Sequence, residues 1–257
     1  MEDFTPHLTF SNSTTTEREI LSASKAARML NLNPGSLAKL VSSGYLPTLY
    51  ADDLRTLAAR PYLESTTRPL YVIQTGAAQA VIDDVNLMAP RFHVSDEDQA
   101  RAAISEALSK YPDEWRVATG DSPRLSDQMW VDAARGDWHN ITPDPAVRYM
   151  LIVLATFVTG VLRIDTHEAP VSYTIGSQRK HRFPATLVGR LGTTPRSAHN
   201  AAVLTGEHMT RYGSDITPFE REFVDNVLGK RVYPRAGVQA FLVEATVPAD
   251  SFLPIER

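Results

Sequence analysis

Forty-four residues, Ile20 to Leu63, constrain the fold of this chain more than any other stretch: ILSASKAARMLNLNPGSLAKLVSSGYLPTLYADDLRTLAARPYL. Ser22 or Ser24 can cap a helix start, since a serine oxygen accepts a bond from an orphan backbone N–H. Ala23, Ala26, Ala27 and Leu30 then recur at helical spacing. Asn31-Leu32-Asn33 interrupts the pattern, and asparagine tolerates left-handed backbone. Pro34 suits the first position of a second helix, where its missing N–H costs nothing. Leu37, Leu40 and Val41 form that helix's expected apolar face, and Gly44 fits just beyond its end. Tyr45-Leu46-Pro47 leaves in an extended form. A third helix, Asp52 to Arg60, offers Leu54, Leu57 and Ala58 to the same small core.

Two short helices, a tight turn and a Gly-Tyr-Leu-Pro exit resemble the winged helix-turn-helix of excisionases and MerR-type regulators. The resemblance lies in S-A-S-K-A-A-R-M-L-N-L-N-P-G-S-L-A-K-L-V, in S-G-Y-L-P and in A-D-D-L-R-T-L, about 45 of 257 residues. These families place a basic two-stranded wing between the Leu-Pro and the Asp-Asp-Leu. Here only Thr48, Leu49, Tyr50 and Ala51 intervene, so the wing is absent or reduced to a turn. The resemblance implies double-stranded DNA as the partner, with the second helix in the major groove. Asn33, Ser36, Lys39, Ser42 and Ser43 are its outward positions. Lys25 and Arg28 would meet phosphates, which position a protein without reading sequence. Arg18 and Arg55 add charge. From Arg18 to Arg60 there are six basic and three acidic residues. That excess is small, so a second copy or a second basic surface is needed for firm binding.

Composition bounds the remainder. The net charge is −4 and the pI near 6.0, which excludes a bulk nucleic-acid coat. Cysteine is absent, which removes disulfides, thiolate nucleophiles and cysteine-based metal sites. The first residues, 1–17, read as a flexible polar arm without a signal-peptide pattern, and a cytoplasmic setting is expected. With 43% hydrophobic residues the chain can bury a sizeable core. Its strongest apolar run, Met150 to Leu162, is too short to span a membrane, which takes about 20 residues. It reads as a buried strand pair or one buried helix, with a possible break at Thr159-Gly160.

The expected organisation is α+β: an all-helical helix-turn-helix domain over 18–64, then a mixed α+β domain over 69–257. Strands are expected at Leu70–Thr75, Val171–Ile175, Ala185–Leu191 and Val238–Val247. Helices are expected from Ser95 to about Tyr111 and over Arg196–Tyr212. Thr217-Pro218-Phe219-Glu220 is a capping-box signature for another helix, ending at Gly229. From Asp83 to Asp144 thirteen acidic residues face six basic ones, whereas Ser172 to Arg235 has ten basic and five acidic. The densest basic run is Ser177-Gln178-Arg179-Lys180-His181-Arg182-Phe183. Arg179, Lys180 and Arg182 could straddle phosphates while Phe183 stacks on a base, with Arg190, Arg196 and Arg211 nearby. The plainer alternative is a solvated basic hairpin loop between two strands.

Enzyme signatures are missing: no Walker loop, no G-x-G-x-x-G, no G-x-S-x-G elbow and no H-E-x-x-H. No cofactor or metal is expected. Thr119-Gly120-Asp121-Ser122 reads as a turn. The leading expectation is a sequence-specific transcriptional regulator or excisionase-like factor, with a second copy of itself, in a homodimer, as a candidate partner. Its C-terminal domain would serve dimerisation, effector sensing or a second DNA contact. Two alternatives stand beside it. One is an enzyme addressed to DNA by its helix-turn-helix, with a polar site drawn from His167, Glu168, Arg179, His181, Glu207 and His208. The other is a phage- or plasmid-type inhibitor whose Asp83–Asp144 surface mimics nucleic acid.

Overall fold

The computed structural model describes residues 18–63, 68–78, 120–136, 138, 141–175, 178–193, 203–205, 208–233 and 240–243. The first elements are helices α1 (Ala23–Leu30), α2 (Pro34–Ser43) and α3 (Ala51–Ala58). Their ends follow from local chemistry. Ser22 caps α1 by accepting from the Lys25 amide, and Asn31 closes it in the left-handed region at φ 51°. Asn33 caps α2 by accepting from the Ser36 amide at 2.7 Å, Pro34 opens it, and Gly44 ends it at φ 86°. Leu30, Leu40, Leu54 and Leu57 are wholly buried. Val41 is exposed and Ser43 buried, the reverse of the pattern expected from helical spacing. The cause is a neighbouring loop: the Ser122 hydroxyl donates to the Ser43 carbonyl at 2.8 Å and draws that side of α2 inward.

The rest of the described chain is a mixed sheet between two helices, so the chain as a whole is α+β. Strands β1 (Leu70–Thr75), β2 (Tyr149–Leu154), β3 (Phe157–Ile164), β6 (Ala185–Thr193), β7 (His208–Tyr212) and β8 (Ala240–Val243) lie in the order β7-β6-β3-β2-β1-β8. Only the β1–β2 pairing within this sheet is parallel, and the crossover between them carries helix α4 (Asp127–Ala134). A separate ribbon pairs β4 (Val171–Ile175) with β5 (Gln178–Arg182). Helix α5 (Pro218–Val227) starts in the expected capping box, with Thr217 and Glu220 bonding each other's backbone.

Strand alternation sorts the core into two layers. Tyr71, Ile73, Met150, Ile152, Leu162 and Ile164 pack beneath Trp130 and Val131 of α4. Leu70, Val72, Leu151, Val153, Val161 and Val188 pack beneath Val224 and Val227 of α5. The N-terminal helices do not close a core by themselves. Leu30, Leu40, Leu54 and Leu57 share one cluster with Leu154, Phe157 and Leu191 of the sheet and with Val203 and Leu204. The anticipated self-contained helical domain is thus joined to the sheet through a common core.

Of the two readings of Met150–Leu162 the strand pair is the one observed, with its break moved, and one expected helix is corrected. The run Met150–Leu162 is the β2–β3 hairpin, and its turn is Ala155-Thr156, both at positive φ (50° and 94°), not Thr159-Gly160. Ile152 faces Gly160 while Val153 faces Val158, so Thr159 is an extra residue in β3. This bulge turns Thr159 and Gly160 together toward α4. Of the helix expected over Arg196–Tyr212, the described residues form a short 3-10 turn at Val203–Thr205 and strand β7, and the remainder lies outside the described residues. The expected helix from Ser95 to Tyr111 and the 1–17 arm lie outside the described residues.

Gly160 leaves room for an indole. A Cβ at that position would sit 2.4 Å from Trp130 Cη2 and 3.1 Å from Arg190 Cβ. Gly160→Ala should therefore cost about 1–3 kcal/mol through overpacking, measured by urea denaturation. Gly35→Ala, on the outer side of α2, serves as the control and should leave the midpoint nearly unchanged.

Candidate nucleic-acid interface

The outer faces of α1 and α2 hold most of the residues that the sequence singles out for DNA. Lys25 and Arg28 stand one turn apart on α1, and both are exposed. On α2, Asn33, Lys39 and Ser42 are exposed and Ser36 is half-buried. Ser43 belongs to the opposite face: it is 3% exposed, and its hydroxyl donates to the Leu40 carbonyl at 3.0 Å. It is not an outward position. Asn33 is exposed, but its side-chain oxygen is committed to capping α2. Lys25, Arg28 and Lys39 make no ion pair among the described residues, whereas Arg18 binds Asp53 at 2.7 Å and Arg55 binds Asp52 at 2.6 Å. The usable positive charge on the helices therefore sits on α1 and α2, not on α3.

Arg124 adds a cation that sequence reasoning missed. Its guanidinium nitrogen lies 3.5 Å from the position a Cβ would take at Gly44, against the C-terminal end of α2. That helix has no basic residue in its own last turn, so Arg124 complements its negative end from across the fold. Arg124 is also exposed and continues the basic edge beyond Ser42.

Within the basic run, Gln178–Arg182 is strand β5, not a loop. Arg179 is exposed, Lys180 and Arg182 are half-buried, and His181 is 7% exposed. Alternation along β5 prevents all of these cations from pointing one way. His181 bonds the Ser172 hydroxyl through Nδ1 at 2.9 Å, and its backbone pairs with Trp138. Burial, and then the Arg179 charge, hold its pKa below the usual imidazole value. Phe183 is buried against Tyr71, with ring centroids 5.5 Å apart, so it cannot stack on a base. Arg190 is wholly buried and Arg211 is spent: both bind Asp127, at 2.7 and 2.9 Å. Arg196 lies outside the described residues.

What holds α2 in place is a buried carboxylate. Asp121 Oδ1 accepts from Tyr45 Oη at 2.8 Å and from Trp130 Nε1 at 2.7 Å, and Oδ2 accepts from Thr159 Oγ1. The donors come from the exit of α2, from α4 and from the β3 bulge. Burial pushes the Asp121 carboxyl above its usual range against the pull of these bonds and of Arg190. Burial, reinforced by the Asp121 charge, pushes the Tyr45 hydroxyl well above its usual value. The only sequence trace of this centre is Gly120-Asp121, read as a turn. Gly120 is required there, at φ 82°, because a Cβ would meet the Ala77 carbonyl at 2.2 Å.

Among the described residues, no cavity brings together those suggested for an enzymatic site beyond the neighbours His167 and Glu168. His167 and Glu168 are exposed beside a cavity that His181 does not line. Glu207 and the His208 side chain lie outside the described parts. No cluster of three or more metal-ligating residues occurs among the described residues, and no described helix is long and apolar enough to cross a membrane. Of the acids between Asp83 and Asp144, Asp121 is buried, Asp127 binds two arginines and Asp132 binds Arg135 at 3.0 Å. Compared with protein-family models, curated proteins and solved structures, the chain matches none.

Two outcomes test this geometry. Asp121→Ala strands three buried donors and should cost about 3–5 kcal/mol, read from denaturant midpoints. Glu220 tests the other end of the fold. Its burial raises its pKa, but the Thr217 amide and Arg163, 3.0 Å away, outweigh this and hold it below the usual range. A depressed folded pKa gives stability above the ordinary glutamate range that is lost as pH falls through the folded value. Glu220→Gln should therefore destabilise most at neutral pH, with the difference from wild type shrinking in acid.

Proposed function

We propose that this chain is a sequence-specific double-stranded DNA-binding protein, a transcriptional regulator or excisionase-like factor. Helix α2 enters the major groove, and Lys25 and Arg28 of α1 grip phosphates beside it. The observation that carries the reading is the exposed α1–α2 face. It holds Lys25, Arg28 and Lys39 without acidic partners among the described residues, on a helix pair whose opposite side is locked into the core. Ser36, Lys39 and Ser42 are the side chains for base edges, and Arg124 extends the phosphate contact. The ribbon supplies a second, weaker contact through the exposed Arg179, with Lys180 and Arg182 on its other face. The sheet domain serves dimerisation, effector sensing or that second contact.

Selection of bound duplexes from a random pool by the full-length protein tests this reading. Enrichment of one motif is expected. Lys39→Ala should relax preference at its base pair by about 1–3 kcal/mol. Lys25→Ala and Arg28→Ala should weaken binding to all sequences alike and each lower the salt slope by about one. If no duplex is enriched and none is retained at low salt, the reading is wrong.

A further inference from the structure

A cavity of about 210 Å³ opens between the starts of β1 and β2 and helix α5, on the sheet face away from α4. Its floor and wall are mainly apolar, with Asn226 of α5 also in the lining. Leu70 and Tyr149 come from the sheet, and Phe219 and Phe223 come from α5. The two phenylalanines lie parallel, 6.4 Å between centroids, and Tyr149 meets Phe223 at 5.4 Å. Phe219 is 48% exposed, a large apolar surface left open at the cavity edge. Against this wall stand two cations. The Arg68 guanidinium lies 5.0 Å from the Phe219 ring centroid, and Lys230 lines the same cavity just beyond α5. Neither makes an ion pair among the described residues. The nearby carboxylate cannot neutralise them, because Glu220 is committed to Arg163 at 3.0 and 3.1 Å and to the cap of α5.

We infer that this cavity binds a small apolar monocarboxylate, its ring or branched chain against Phe219 and Phe223 and its carboxylate between Arg68 and Lys230. An apolar pocket with a few convergent polar groups is the usual form of a ligand site. Two cations, with no acid among the described lining residues, favour an anion. The small volume and the aromatic wall favour one ring with a short acid tail over a nucleotide or a sugar phosphate. No lining residue comes from α1 or α2, so the site stands whether or not those helices bind DNA.

Calorimetric titration of the full-length protein with phenylacetate tests it, with hexanoate and cyclohexanecarboxylate as further acids and 2-phenylethanol as the neutral counterpart. Saturable binding of at least one acid at millimolar concentration is expected, with 2-phenylethanol at least about tenfold weaker. Lys230→Met and Arg68→Met should each weaken the acid by about tenfold. Both replace solvent-accessible cations, so folding should survive, and unchanged circular dichroism checks it. Gln128→Ala, exposed on α4 across the sheet from the cavity, should bind as wild type. No saturable binding by any of the three acids would overturn the assignment. So would equal affinity for acid and alcohol, or retention of full affinity by both cation variants.

Discussion

A carboxylate sealed from water must find donors or lose its charge, and Asp121 finds them on three separate pieces of the chain. Tyr45 reaches it from the exit of α2, Trp130 from α4 and Thr159 from the bulge in β3. Each donor is itself wedged by packing: Trp130 fills the space above Gly160, and Tyr45 is wholly buried between helices and sheet. None of these side chains can shift without stranding a polar atom, so the helices, the crossover and the sheet share one register. Arg190 tightens the same corner by binding Asp127 and the Leu125 carbonyl while lying 5.7 Å from the Trp130 ring centroid. The burial is costly on its own account. A centre of this kind favours one arrangement over its near neighbours more than it adds stability.

That rigidity bears on the outer face of the helices. Because the inward side of α2 is bonded to the Ser122 loop and the Asp121 centre, Ser36, Lys39 and Ser42 are displayed at fixed spacing. Fixed spacing is what base readout requires, since bidentate contacts tolerate little misplacement. The short connection from Pro47 to Tyr50 holds no wing. It is instead stitched back to the segment before α1, through the Ile20–Tyr50 bridge and the Leu21 amide on the Leu49 carbonyl at 2.9 Å.

Local chemistry was legible in the sequence wherever neighbours in the chain decide the outcome. Asn31, Asn33, Pro34, Gly44 and the Thr217–Glu220 box act as their residue types dictate, and β1 and β4 have the expected bounds. Distant packing was not legible. Val41 and Ser43 trade places because a loop some 80 residues away bonds to the Ser43 carbonyl, and no helical period encodes that. Arg190, Arg211 and Phe183 look like surface from composition, but partners contributed by α4 and β1 bury Arg190 and Phe183 and engage the half-buried Arg211. Thr159-Gly160 carries a break signal that a bulge satisfies as well as a turn does. The candidate DNA face was legible in its Lys and Ser positions, whereas Arg124 reaches α2 only through tertiary structure.

Arg231 gives the fold a schedule. Its guanidinium donates at 2.6 Å to the carbonyl of Leu30, the last residue of α1, and lies between the Tyr62 and Phe157 rings. Its backbone clamps Pro61 and Leu63, just after α3. The two ends of the Arg231–Leu30 contact are 201 residues apart in the chain. At a synthesis rate of about 5–20 residues per second, the ribosome finishes α1 roughly 10–40 s before it makes Arg231. During that interval the helices lack the Arg231 clamp, and in its earlier part they also lack the Leu154, Phe157 and Leu191 side of their core. The face read here as the DNA contact thus reaches its final form only after residue 231 has been made, so a chain that stops short of it carries the helices without their finished support.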